Sequence, residues 1–252
     1  MFLLWILFIS STASSAAQAC NYLESSIHFF NAVKNNEFEK ATVDINLLAT
    51  ATEQVLKFQL DTEAKAKAFW LNVYNTFVQY QLKRKPELFT DRGTFFKART
   101  ITIAQQKLSL DDIEHGIIRR STNKYSFGYF ARFFVSDFET RFRLKEIDYR
   151  IHFALNCGAI SCPPVALYDA DRIEYQLDQA TTSYLKAFAK YDPSGNIVSV
   201  PALCSWYRGD FGGESGIISA MKKYGIVPPS KHPSIEYLPY DWTLQLSQYI
   251  TL

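Results

Sequence analysis

At 252 residues, 48% of them hydrophobic, the chain can bury one substantial core, as a single large domain or a domain with a helical extension. Its 20 Phe and 15 Tyr make that core ring-rich. A net charge of +2, from 27 basic and 25 acidic side chains with no Lys/Arg-rich block, leaves no electrostatic footprint for nucleic acid, which is excluded as a partner.

Met1–Ile9 is an apolar run too short to span a bilayer, and the small residues after it end in Ala17-Gln18-Ala19. This reads as a secretory signal peptide over residues 1–19, although no Lys or Arg precedes the run. A lipid on Cys20 is the alternative, and the one route by which the chain would sit on a membrane; Ala17 stands where a lipoprotein signal prefers Leu. The expectation is an exported protein, periplasmic or secreted, with a helical extension over 20–54 and the main domain over 55–252. Export permits disulfides.

Residues 21–60 read mainly helical, with a break at Asn35-Asn36. The clearest helix spans 62–84, capped by Thr62, with Lys83-Arg84-Lys85 suiting its C-terminal dipole and Pro86 stopping it. Phe69, Val73, Phe77 and Tyr80 form one buried stripe, and Asn72 and Asn75 lie on its flank. Thr100–Ala104 alternates as a short strand. Ser109 opens a helix through Arg120, on which the neighbours Glu114 and His115 diverge by about 100° and cannot face one point without help from other elements. The stretch 129–149 fits helix or extended chain. Arg150–Asn156 alternates and reads as the best strand, ended by Gly158 and Pro163-Pro164. A helix over 169–190, a strand over 196–200, a turn or short helix over 201–208, a helix over 216–224 and an extended tail from Pro228 follow. The fold class is α+β: one helix-rich domain with a small, mostly antiparallel sheet.

The segment 150–164 concentrates the chemistry. It holds an imidazole, two thiols, an amide and a guanidinium in fifteen residues of a chain with four His and four Cys. His152 with Cys157 suggests an imidazole that helps form a nucleophilic thiolate. On a strand, an offset of five puts them on opposite faces, so pairing needs a bend before Cys157, which Asn156 or Gly158 would supply. His152 with Cys162 is sterically freer. Against this stand a satisfied core histidine and a bridged pair: Cys157 and Cys162 lie within bridging reach across the turn, and Cys204 is an equally open partner for either. A 157–162 bridge would remove the nucleophile. Glu114 and His115 read as acid/base or orienting groups docked against this segment, or as part of an exposed, salt-bridged helix face. Asn72, Asn75, Arg150 and Asn156 are the candidate substrate-binding groups; the bland role of the helix amides is to satisfy buried backbone. His115, His152, Glu114, Cys157 and Cys162 include zinc-type donors, yet no pair has the short spacing of a metal motif, and no metal is assigned. With no phosphate loop, dinucleotide fingerprint or Gly-x-Ser-x-Gly elbow, no cofactor is implied.

His152-Phe-Ala-Leu-Asn-Cys157-Gly-Ala and Ser161-Cys-Pro-Pro164, together with Ala68–Asn75, Leu110–Arg119 and Trp206–Gly212, resemble the DUF547 family from about residue 55 to Tyr240-Asp241-Trp242. That resemblance implies a shared fold and no particular reaction. The order of core helix and strand-borne His also looks distantly like papain/transglutaminase-like proteins, although the helix position that would carry their Cys falls near Asn72. Two readings result. One is an exported thiol-dependent hydrolase or acyl transferase using Cys157/Cys162 with His152 on a small-molecule or peptide substrate. The other is a non-catalytic peptide- or small-ligand-binding module with a structural disulfide. The expectation is that Asn72, Glu114, His115, Arg150, His152, Cys157 and Cys162 converge on one cleft.

Overall fold

Capping chemistry sets the first boundaries in the computed structural model, which describes residues 21–252; the expected signal peptide and Cys20 lie outside them. Asn21 caps α1 (Tyr22–Lys34) by accepting from the Glu24 amide. The Asn35-Asn36 break, with Asn36 at φ 61°, separates it from α2 (Phe38–Thr50), and Thr52 then caps α3 (Glu53–Gln59). These helices contribute Phe29, Val33, Leu48 and Leu56 to the apolar core that also holds α4 (Glu63–Arg84).

The predicted helix over 62–84 is this α4, capped by the Thr62 hydroxyl at 3.2 Å from the Lys65 amide. It is the axis of the molecule. The sequence suggested one buried stripe, but every residue from Ala66 to Gln79 is buried, because α1, the 112–118 segment and α7 (Ile173–Phe188) each pack against it. A helix enclosed on all sides must satisfy its polar groups internally. Asn72 exchanges two 2.8 Å bonds with the backbone of Tyr168, and Asn75 does the same with the Ala154 carbonyl and the Asn156 amide. Gln79 donates to the Asn156 side chain at 3.1 Å and accepts from the Ser247 amide at 3.0 Å. These rungs lash the irregular 154–168 chain to α4.

Beyond α4, a 3-10 turn (Pro86–Asp91) leads into α5 (Arg92–Lys97) and the antiparallel hairpin of β1 (Ile101–Ile103) and β2 (Gln106–Leu108). The short α6 (Asp137–Phe142) lies after the long loop at 119–136. β3 (Lys190–Asp192) pairs antiparallel with β4 (Ile197–Val200), which pairs in parallel with β5 (Ser234–Tyr237). α8 (Ala202–Trp206) and α9 (Gly213–Lys223) pack with them around a smaller core that includes Phe153, Leu185, Phe211 and Met221. The whole is α+β, as expected, with its sheets confined to two and three strands.

The expected strand at 150–156 is absent. Tyr149–Phe153 is a 3-10 turn, started by Asp148, whose carboxylate accepts from the Arg150 amide at 3.1 Å and binds the Arg150 guanidinium. Ile151, His152 and Phe153 are buried in succession, so the alternation does not mark two faces of a sheet. A local capping bond outweighed a weak period-two pattern.

The tail crosses back over the cysteine segment: the Ile160 amide donates to the Thr243 carbonyl and the Gln245 amide to Gly158, both at 2.8 Å, and Val165 to Gln248 at 2.7 Å. Among the described residues no helix is long and apolar enough to cross a membrane.

Candidate active site

The predicted helix from Ser109 is wound more loosely than expected: Asp112–Ile118 is a π-helical segment, with the Arg119 amide donating to Glu114 and the Ser121 amide to Gly116, both at 2.7 Å. Insertions of this type recur at functional sites. Glu114 and His115, neighbours on this segment, both line one cavity of about 230 Å³ together with Tyr74, Cys157 and Tyr207.

Glu114 accepts from the Tyr74 hydroxyl at 2.8 Å on one oxygen and from Tyr207 at 2.9 Å on the other. Burial opposes its charge, but the neighbouring His115, Arg119 and the two hydroxyls together hold the carboxyl below its ordinary range. His115 is driven the other way. Burial, aided by Arg119, pushes its imidazolium pKa down to about 4. The Arg119 Nη1 donates to His115 Nδ1 at 2.8 Å, so this neutral ring carries its proton on Nε2, facing Asp111 at 3.7 Å.

Because the folded pKa of His115 lies below the unfolded value, the unfolded chain takes up the proton first as pH falls. Stability present above about pH 6.5 should then be lost on the way down to pH 4, by on the order of 3 kcal/mol from this group. Urea melts at pH 7 and pH 4.5 check it; His115→Gln should shrink the difference, and an unchanged difference would show that the ring is not buried neutral.

Arg119, wholly buried, also grips Asp210 with Nε at 2.7 Å and Nη2 at 3.1 Å. Asp210 in turn meets His152 Nε2 at 2.8 Å. Burial works against ionisation of Asp210, yet its bonds to His152 and Arg119 lower its pKa, so the ionised carboxylate requires the proton on Nε2. Burial keeps His152 neutral, and its Nδ1 has no hydrogen-bond partner among the described residues. The ring stacks on Tyr207 at 3.7 Å between centroids and 7° between planes, and Arg119 lies 4.5 Å from the same Tyr207 ring. Gly128 permits the approach of Asp210: at φ +92° it takes a conformation that a side chain disfavours, and a Cβ there would fall 2.3 Å from Asp210 Oδ1.

Cys157 and Cys162 are joined in a disulfide with their Cα atoms 6.1 Å apart. Cys157 is half-buried and Cys162 is 3% exposed. The Tyr240 hydroxyl lies 3.2 Å from one sulfur and 3.0 Å from the other. Both cysteines, His152, Glu114, Tyr74 and Tyr240 line a cavity of about 60 Å³, which shares Tyr74, Glu114, Cys157, Tyr207 and Trp242 with the larger one. Cys204 is buried, with its thiol pushed up to about 12 by burial, and stands apart from the pair.

Glu114, His115, His152, Cys157 and Cys162 therefore border adjoining cavities. The expectation of a single cleft is corrected for the binding groups. Arg150 faces another cavity of about 500 Å³, bound to Asp148 and Glu174 and lying 3.3 Å from Asp178. Three carboxylates around one guanidinium hold it there. Asn72, Asn75 and Asn156 are buried in the α4 lashing. Sequence reasoning missed Arg119, Asp210, Tyr207 and Tyr240 as site members. Trp206–Gly212 and Tyr240 stood out as motif residues, but nothing local assigns Asp210 to a histidine 58 positions away. Among the described residues, no three His, Cys, Asp or Glu side chains are grouped to hold a metal.

A helix-rich α+β domain with a buried His–Asp–Arg chain beside paired cysteines is the class that fold and site define. A family model described as "protein of unknown function, DUF547" matches residues 58–185, and the chain belongs to that family. No curated protein and no solved structure matches it, so the distant papain/transglutaminase likeness gains no support. His152 also sits on a 3-10 turn rather than on a sheet. Asp210, Tyr207 and Tyr240 lie beyond the matched residues.

Proposed function

We propose that the cleft serves an exported thiol-dependent hydrolase or acyl transferase, acting in its reduced form on an amide or thioester of small-molecule or peptide size. The observation that carries this reading is the state of His152: Asp210 holds one ring nitrogen while the other, unpaired, belongs to a ring that lines a cavity with both cysteines. Once the bridge is reduced, Cys157 is the more accessible thiol. His152 Nδ1 takes its proton, the sulfur bonds to the acyl carbon, and the leaving amine or thiolate takes the proton back. Water, or an acceptor amine or alcohol, then cleaves the acyl–sulfur bond, and the thiol is regenerated. Asp210 fixes the tautomer, Arg119 fixes Asp210, and the Tyr240 hydroxyl is placed to donate to a thiolate. Export rests on the sequence of residues 1–19.

A second reading is favoured by the disulfide itself: in the bridged protein neither sulfur can attack, and the cleft would be a peptide- or small-ligand-binding site. Turnover of simple aryl thioesters and anilides by reduced and non-reduced protein separates the two. Turnover should require reduction and fall by about 100-fold or more in Cys157→Ala and in His152→Ala. Undiminished turnover in Cys157→Ala would sink the thiol mechanism, and none by reduced protein would favour the binding module.

A further inference from the structure

The largest apolar anomaly on the surface lies in the loop between the π-helical segment and α6. Within ten residues Tyr125, Phe127, Tyr129, Phe130, Phe133 and Phe134 are all exposed, the last two at 94% and 95%. Soluble chains seldom leave such a cluster facing water without a use for it.

The loop is nevertheless held. Thr122 and Ala131 form an antiparallel bridge, the Asn123 amide donates to the Phe130 carbonyl at 2.9 Å, and the Arg132 amide donates to Ser121 at 2.7 Å. The Gly209 amide donates to the Phe127 carbonyl at 2.7 Å, Lys124 binds Asp111, and Arg132 binds Glu139 at 3.4 Å. The result is a pinned hairpin that turns its rings outward. Residues 120–136 also carry Arg120, Lys124 and Arg132 and no acidic side chain. Arg120 is exposed, and no carboxylate pairs with it among the described residues.

We infer that the 120–136 hairpin docks the protein on the surface of an anionic lipid bilayer, with Phe133 and Phe134 entering the boundary between headgroups and acyl chains. Three features favour lipid over protein as the occupant. Phe133 and Phe134 are neighbours, almost fully exposed, just beyond the pairing that closes the hairpin. The segment's own charges are all positive and, although Lys124 and Arg132 are each paired with a carboxylate, the exposed Arg120 is left to meet anionic headgroups. A twofold contact between two copies through this hairpin would oppose like charges. Aromatic rings beside basic residues are also the side chains that settle at a bilayer interface.

Docking would have a consequence for the cleft. Lys124, on the same hairpin, lines the cavity that holds Glu114 and His115, and Phe127 and Gly128 abut Asp210 and its neighbour Gly209. The cleft mouth would then open beside the membrane surface, where amphiphilic substrates reside. The docking inference itself does not depend on thiol chemistry.

Co-sedimentation of the full chain with phosphatidylglycerol-containing and pure phosphatidylcholine vesicles tests it, comparing wild type with Phe133→Ser/Phe134→Ser. Both proteins share one N-terminus, so their difference reads the hairpin alone. Wild type should bind the anionic vesicles at least about tenfold more tightly than the double variant, and added salt should weaken that binding. Phe133→Trp should show a blue-shifted emission on adding those vesicles. Equal binding by wild type and double variant, no binding by either, or a wild-type dimer that the double substitution abolishes would each overturn the inference. A matching urea melt for the double variant shows that it is folded.

Discussion

Iodoacetamide at neutral pH should leave Cys157, Cys162 and Cys204 of the folded, non-reduced protein unlabelled and should, after reduction, label Cys157 first among these three. In the bridged state neither Cys157 nor Cys162 has a free sulfur, and Cys204 is buried with its thiol pushed up to about 12 by burial. Reduction frees two thiols of unequal access, since Cys157 is half-buried and Cys162 is 3% exposed. Opening so short a loop should cost at most about 2 kcal/mol, and the fold should survive it. The α4 lashing and the strap of the tail over residues 158–165 remain in place. His152→Ala should then slow alkylation of Cys157 by about tenfold or more, because the thiolate fraction depends on a neighbouring base. Labelling of Cys157 or Cys162 without reduction would mean that the bridge does not form in solution. A Cys157 that reacts at the rate of an ordinary thiol, indifferent to His152, would end the thiol mechanism. His152, His115 and Glu114 would then stand as a ligand-binding or acid/base cluster.

The largest single loss of stability should come from Asp210→Asn. Its carboxylate is the partner of a guanidinium with no exposed surface, and the substitution leaves that charge buried without the carboxylate it is hydrogen-bonded to. Breaking one side of a buried pair costs about 3–5 kcal/mol, which lowers the melting temperature of a chain this size by roughly 6–20 °C. The amide also cannot dictate the tautomer of His152 as a carboxylate does. A double change, Arg119→Met with Asp210→Leu, separates the two effects. Stability should return toward that of the wild type, because an apolar pair of similar volume replaces the ions, while any thiol-dependent turnover should stay lost. A melting temperature unchanged in Asp210→Asn would show that solvent reaches the pair, and recovery of turnover in the double variant would remove Asp210 from the mechanism.

What could be read from neighbours along the chain was read well. Thr62, the apolar run behind it and Pro86 define α4 to within a residue, and Ile197–Val200 and α7 follow their expected patterns. Caps, helical periodicity and breakers act over three or four residues, so these elements and the α+β class are written in the local sequence. It also brought Cys157 and Cys162 within reach of each other, but left their pairing open.

The site came from packing between distant segments. Asp148 captured Arg150 and turned a strand-like run into a 3-10 turn, removing the guanidinium to another face. On the π-helical segment Glu114 and His115 both came to line one cavity, and Gly116 leaves the room that Glu139 fills beside it. Asp210 reached His152 across 58 residues and Arg119 across 91. Such pairings come from how packed elements happen to face one another, and each partner's local sequence looks the same whether or not the other is there. Burial then made His115 and His152 neutral, while neighbouring charges and hydroxyls kept Glu114 ionised against burial. No stretch of chain encodes a protonation state, because desolvation is a property of the assembled core.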